Sequence, residues 1–317
     1  MKQISKNLFT YSAEIHADVV TLEERLPQFM ECGEHTRDSY GFVPVIASEE
    51  ETRVLTVPGG WVVCLRHDGK LLPNEALKKW VDERAAHLQQ TYGRKIGKKE
   101  RKELMGDAIH ELLPQAFVRS RRTFAFYSER TQRLYVSTGS QKAADRMVHE
   151  LVHSLESVKT STVHVSEPKM GLTARLLNWL DHQPDDETFG DLHPEGQVVM
   201  KGATGKWSVN ASHLREAEDT LREAMRRNTT VDSMGFCDMD GIKFRVTAAL
   251  RIKAVQHRVM DAADDSTEHH QFVSQAADEI ATLDTIVDTM LDLLSPEKAQ
   301  APKAAPAEPD NNFDDLF

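Results

Sequence analysis

Apolar positions along this chain recur with a period of two in some stretches and near 3.6 in others, and the changeovers mark its elements. Residues 4–11 read as a strand. Behind Asp18, a capping residue type, Val19, Leu22, Leu26 and Phe29 fall at helical steps and predict a short helix. Residues 40–46, 54–57 and 61–65 are β-rich. Pro58-Gly59-Gly60 separates the last two, and His67-Asp68-Gly69 is expected to turn the chain towards Leu71 and Leu72. Pro73 and Asn74 start a helix striped by Leu77, Trp80, Val81 and Leu88. Gly93 and Gly97 interrupt it, and Leu104, Met105, Ala108, Ile109 and Leu112 stripe a second helix that ends at Leu112-Leu113-Pro114. Strands are expected at 123–127 and 134–136. A helix over 140–157 then turns Ala144, Met147, Val148, Leu151 and Leu155 inward.

The second half continues the mixture. A short strand is expected at 162–165, a helix at 172–180, an acidic loop at 184–190, strands at 198–201 and 207–209, and a helix at 213–226. Residues 231–237 and 242–246 form a hairpin around Asp238-Met239-Asp240-Gly241. From about Thr267 to Leu294, Val273, Ala276, Ile280, Leu283, Val287, Met290 and Leu294 keep 3–4 spacing, a pattern that suits a bundle or a dimer seam. After Ser295-Pro296 the chain is rich in Ala, Pro and acid, cannot build a core, and reads as a disordered tail over 295–317. The fold class is α+β, with mixed antiparallel sheet and helices over 1–294. No apolar run reaches the length of a membrane span, and three scattered cysteines (32, 64, 237) give no disulfide framework, so a cytoplasmic location is expected.

Charge changes the picture. The chain nets −11, yet residues 78–133 hold fourteen Lys and Arg against seven acids. Residues 261–317 hold fourteen acids against two lysines. A cationic middle inside an acidic protein draws phosphate polymers to one region and repels them from another. The candidate phosphate contacts are Lys78, Lys79, Arg94, Lys95, Lys98, Lys99, Lys102, Arg119, Arg121 and Arg122. Lys95, Lys98, Lys99 and Lys102 recur at three- and four-residue steps and form one cationic ridge if helix persists through the glycines. Alternation places Arg119 and Arg121 on one face of an extended segment. Phe117 beside them is core, an interface anchor or a base-stacking ring.

Other motifs point to chemistry more weakly. His149-Glu150-Leu151-Val152-His153 matches HExxH, the pattern of a zinc peptidase helix. No third-ligand motif follows, and the helical wheel sets both histidines away from the apolar stripe, on the polar side with Arg146. Gly202-Ala203-Thr204-Gly205-Lys206-Trp207 lacks the glycine and the hydroxyl residue of a P-loop, and Asp238–Gly241 lacks the later ligands of a calcium loop. No catalytic residue, metal or cofactor is expected.

Lys6-Asn7-Leu8, Gly41-Phe42-Val43-Pro44, the run His110-Glu111-Leu112-Leu113-Pro114-Gln115-Ala116-Phe117, and Gly235-Phe236-Cys237 together resemble the bacterial recombination-associated RdgC family over roughly residues 4–294. The resemblance implies a ring-shaped (toroidal) homodimer with a basic central hole that encircles duplex. It also implies sequence-independent binding of double- and single-stranded DNA, restraint of RecA-driven recombination, a nucleoid-associated location and no enzymatic activity. By matched position it implies that Phe117 lies at a dimer contact. The segment is dissimilar around 181–210. Separately, Phe313-Asp314-Asp315-Leu316-Phe317 is similar to the acidic tip of bacterial single-stranded-DNA-binding protein, which implies a partner-binding tail for proteins that hold that tip.

Overall fold

The structure, a computed structural model, describes residues 6–47, 52–155, 159–162, 168–181, 187–203, 205–211, 213–256 and 267–294. The tail over 295–317, with Phe313, Asp314, Asp315, Leu316 and Phe317, lies outside the described residues, as do positions 163–165 of the expected strand and 184–186 of the acidic loop.

In chain order the elements are β1 (Asn7–Glu14), α1 (Val19–Arg25), β2 (Asp38–Val43), β3 (Val54–Val57), β4 (Gly60–Leu71), α2 (Asn74–Tyr92), α3 (Lys98–Leu112), β5 (Phe117–Ser128), β6 (Arg133–Ser137) and α4 (Gln141–Leu155). There follow β7 (Lys159–Thr162), α5 (Pro168–Asp181), β8 (His193–Gly202), β9 (Gly205–Ala211), α6 (Glu218–Arg226), β10 (Thr230–Cys237), β11 (Lys243–Thr247), β12 (Ile252–Gln256) and α7 (Glu268–Leu294). The strands make one antiparallel sheet in the order β2-β4-β5-β6-β1-β12-β11-β10-β8-β9, with β3 on β4 and β7 on β1. The α+β class expected from the sequence holds.

Strand β1 joins the two halves of the sheet. Leu8 pairs with both Ser137 and Ile252, so the amino-terminal strand is completed by one from the far end of the chain. Alternation along β1 sends Leu8 to one side and Phe9, Tyr11 and Ala13 to the other. Leu8 joins the larger core with Val62, Phe126, Tyr135, Phe236 and Val246. Phe9, Tyr11 and Ala13 join a second core under α1 and α4, with Trp61, Tyr127, Met147 and Leu151.

Several expectations need correction. His67-Asp68-Gly69 is not a turn. These residues lie within β4, flanked by Tyr40, Ser39 and Asp38 of β2 and by Arg121, Ser120 and Arg119 of β5. Asp68 would favour a turn through its own backbone, but its carboxylate is held by Arg66 (2.9 and 2.7 Å), which also keeps it below the usual carboxylate range. The stripe of α7 is not a dimer seam. Phe272, Ala276, Ile280, Leu283, Val287, Met290 and Leu294 are buried in the larger core of their own chain. In line with the sequence reading, which ruled out a P-loop there, Gly202 and Gly205 close a β8–β9 hairpin.

Strand β12 escaped the sequence reading because it breaks alternation. Ile252 and Val255 are three residues apart yet both face the larger core. Ala254 between them adopts φ 52°, which absorbs the extra residue. A left-handed alanine costs about 1 kcal/mol. Ala254→Gly is therefore expected to raise the melting temperature by about 1–2 °C in calorimetry; an unchanged or lower value would show that no strain resides there.

Candidate nucleic-acid interface

Strands β4 and β5 pair over twelve residues, from Gly60 with Ser128 to Leu71 with Phe117. The half nearest the cores is buried: Ala125, Phe126, Tyr127 and Ser128 lie inside. The other half extends beyond the cores as an arm, with β2 still paired to β4 as far as Gly69, and Phe117 to Arg122 on it are all exposed. The arm ends in the α2–α3 hairpin, which has a small core of its own: Leu77, Val81, Ala85, Ile96, Leu104 and Ala108. Arg101 to Asp82 (2.7 Å) and the Trp80 indole to Glu111 (3.2 Å) cross-brace the two helices.

The cationic residues predicted from sequence fall at four places. Arg119 and Arg121 share a face of the arm, as alternation requires. Opposite them stand Gly69 and His67, and the surrounding cleft of about 470 Å³ is also lined by Arg37, Lys70 and Lys142. Asp38 is the acid in this lining, and it holds His67 at 2.8 Å. Lys70 turns its ammonium inward to the Gly33 and Glu34 carbonyls (2.8 and 2.6 Å). Arg37, Arg119, Arg121 and Lys142 are exposed and have no ion pair among the described residues, so their charge is directed at solvent. Arg122 points to the opposite face, beside Arg66.

The third place is the far end of the helical hairpin. The 19 residues of α2 carry it ~28 Å from the arm at 1.5 Å per residue. Helix does not persist through the glycines. Gly93 takes φ 62° and caps α2, and α3 starts afresh after Gly97. Lys95 therefore sits in the link, off the predicted ridge, while Lys98, Lys99 and Lys102 occupy the first turns of α3. All four are exposed. Lysines at a helix amino terminus oppose its dipole and cost a few tenths of a kcal/mol or more each, so helix stability does not explain them. They add to the positive potential that suits a phosphate. Glu100 is spoken for: Arg94 grips it at 2.6 and 3.0 Å and the Gly97 amide donates to it at 2.9 Å, which drops its carboxyl to about 2. Arg94 is thus committed within the protein. Lys78 and Lys79 are exposed on α2, Lys79 with a loose Glu83 contact at 3.9 Å.

The HExxH residues lie on α4. His149 and His153 are exposed, with rings parallel at 6.0 Å, and Glu150 accepts from Arg146 at 3.2 Å. Among the described residues no three of His, Cys, Asp and Glu converge on a point that could hold a metal ion. Arg37 and Lys142 were missed from the sequence. They stand far from the basic stretch, and only the pairing of β2 with β4 and the packing of α4 bring them to Arg119 and Arg121.

Fold and surface together define an α+β protein built on one antiparallel sheet, with a cationic arm and no helix among the described residues long and apolar enough to cross a membrane. A family model described as "Putative exonuclease, RdgC" matches residues 5–297. The chain belongs to the RdgC family. Relatives named recombination-associated protein RdgC include one from Halorhodospira halophila, 29% identical over 62% of this chain and 64% of the relative. Another, from Psychromonas ingrahamii, is 23% identical over 79% and 83%. A third, from Herminiimonas arsenicoxydans, is 29% identical over 72% and 73%. The family description names an exonuclease, whereas these relatives are named for recombination.

Proposed function

We propose that this protein binds DNA through its phosphates, without reading sequence, and acts in recombination by occupying the DNA. The observation that carries this reading is the exposed set on the arm and its tip. Arg37, Arg119, Arg121 and Lys142 around one cleft, and Lys95, Lys98, Lys99 and Lys102 at the hairpin end, have no ion pair among the described residues. Arg grips phosphate in a fork, and Lys acts as a point charge; neither needs a base edge. Two copies meeting through the arms at Phe117 would set these charges around a duplex and hold it as a ring. Such an encircled duplex, or a coated single strand, is poorly available to a RecA filament, which is how the protein would restrain strand exchange. The protein acts by binding rather than turnover.

Neutralising Lys98, Lys99 and Lys102 to glutamine is the direct test. On duplex, log K falls against log salt with a slope near −0.9 per phosphate contact. The triple variant should weaken every sequence alike, by roughly tenfold or more near 0.1 M salt, and flatten the slope by about 2 to 3. Anisotropy titrations on unrelated duplexes measure both. A loss confined to one sequence, or an unchanged slope, contradicts backbone binding by these residues.

A further inference from the structure

The face of β8 to β12 opposite the larger core carries a second set of cations, outside the basic stretch of the sequence. Register fixes the face. Phe244, Val246 and Ile252 point into the larger core, so Arg245 and Lys253, which stand directly opposite one another, point away from it. On β9, Trp207 and Val209 pack on the same core, which sends Lys206 to the outer side. Asn7 of β1 is the other neighbour of Lys253, so this is the face that carries Phe9 and Tyr11 further along β1. Arg119 and Arg121 share that side of the sheet, since Ala125 and Tyr127 of the same strand belong to the same core as Phe9. The amino-terminal end of α4 connects the two regions: Lys142 lines the arm cleft, and Gln141 accepts from Arg251, whose guanidinium also lies 4.4 Å over the Phe9 ring.

The charges on this outer face do not balance. Glu195 is taken by Lys243 and Asp232 by Lys201. That leaves Lys206, Arg245, Arg251 and Lys253 with no ion pair among the described residues. Arg245 donates to Gln197, but its Nε is buried without an acceptor among the described residues. Like charges placed directly across an antiparallel pair destabilise it. Burial, and then Arg245 and Arg251, hold the Lys253 ammonium below its ordinary range, with Lys206 adding to this and Asp232 opposing it. Arg251 is held by Gln141 and Phe9 and Arg245 by Gln197, but the crowded like charge around Lys253 is matched by no ion pair among the described residues, which is the mark of a surface kept for an external anion.

We propose that Lys206, Arg245, Arg251 and Lys253 form a second phosphate-binding surface, continuous past the α4 terminus with Arg119 and Arg121, so that the nucleic-acid track crosses the sheet as well as the arm. This rests on the DNA-binding reading above. From β5 to β11 there are four strand spacings, about 19 Å at 4.8 Å each, enough to engage phosphates beyond those at the arm.

The experiment uses the full-length protein, a fluorescein-labelled 30-base-pair duplex and a sodium chloride series. The double variant Lys206→Gln/Lys253→Gln is compared with wild type and with the Lys98/Lys99/Lys102 triple variant. The double variant should bind several-fold more weakly and flatten the salt slope by roughly 1 to 2, while its melting temperature without DNA rises. That combination of weaker binding and a stabler free protein is not produced by lost packing. A melting temperature that falls assigns the pair a structural role and overturns the proposal. If wild type and the triple variant behave as expected but the double variant keeps the wild-type slope, the sheet surface is wrong and the arm reading stands. If wild type fails to bind duplex at any salt, both fall. Should the double variant not fold, Lys206→Gln alone decides: this exposed residue should flatten the slope by about 0.9, and an unchanged slope overturns the proposal.

Discussion

Asp284→Ala is expected to lower the stability of this protein by about 3–5 kcal/mol, the cost of leaving buried polar partners without their charge. Asp284 lies on α7 and is 2% exposed. Its carboxylate accepts from Ser128 Oγ at 2.6 Å, Thr131 Oγ1 at 2.7 Å and the Tyr135 hydroxyl at 2.5 Å, with Arg130 at 3.1 Å. One helical turn on, Asp288 meets Arg133 at 2.6 Å and Arg130 at 3.2 Å. Burial, and then Asp284 itself, push the Tyr135 phenol well above its ordinary range, so it remains a donor at any working pH. Removing the acceptor strands two fully buried hydroxyls. In calorimetry the melting temperature should fall by roughly 5–8 °C. Asp284→Asn, which keeps an acceptor but not the charge, should fall between that variant and wild type. A change below about 1 °C for the alanine variant would show that these hydroxyls find other partners.

Phe117→Asp is expected to make the protein monomeric. Phe117 is 85% exposed at the outer end of the β4–β5 arm, where it meets the α2–α3 hairpin, opposite Leu71 at 50% and next to Val118 at 48%. An aromatic ring left this bare, with aliphatic neighbours, supports the contact between copies proposed above. Aromatic anchors at such contacts contribute about 2–4 kcal/mol, and an ionised carboxylate there adds a desolvation cost. The dimer constant should weaken by at least a hundredfold, and light scattering at micromolar concentration should give the monomer mass. DNA binding by each copy should persist at lower apparent affinity, because two linked sites no longer act together. A dimer mass for the variant would remove Phe117 from the interface. Phe117→Leu, which keeps an apolar side chain, should retain most of the association.

Where periodicity was clean, the fold was legible in the sequence. The α4 stripe and the β10–β11 hairpin lie where the pattern put them; α1 starts behind Asp18, which accepts from the Thr21 amide at 2.8 Å, but ends at Arg25, so Phe29 of its expected stripe lies outside the helix. Positions where tertiary contacts overrule local preference were not legible. His67-Asp68-Gly69 has turn composition but is held as strand from both sides, and β12 carries a left-handed alanine that defeats a count by twos. The long apolar repeat of α7 cannot by itself say whether its partner is the same chain or another. Of the candidate interface, the excess of charge from 78 to 133 was readable. Its division among the arm's two faces and the distant hairpin end was not, because that depends on a helix break at Gly93 and on strand register. Lys206, Arg245 and Lys253 were invisible as a group, since sheet order gathers them from three strands.

The pairing of Leu8 with Ile252 sets the timing of folding during synthesis. The amino-terminal half leaves the ribosome with β1 lacking one neighbour and the larger core open on one side, because β12 and α7 are made last. A nascent chain stopped before residue 252 therefore cannot close its sheet, and it presents an unpaired strand edge and bare apolar surface. Such a chain offers chaperones and proteases an open edge and bare apolar surface that the finished chain hides.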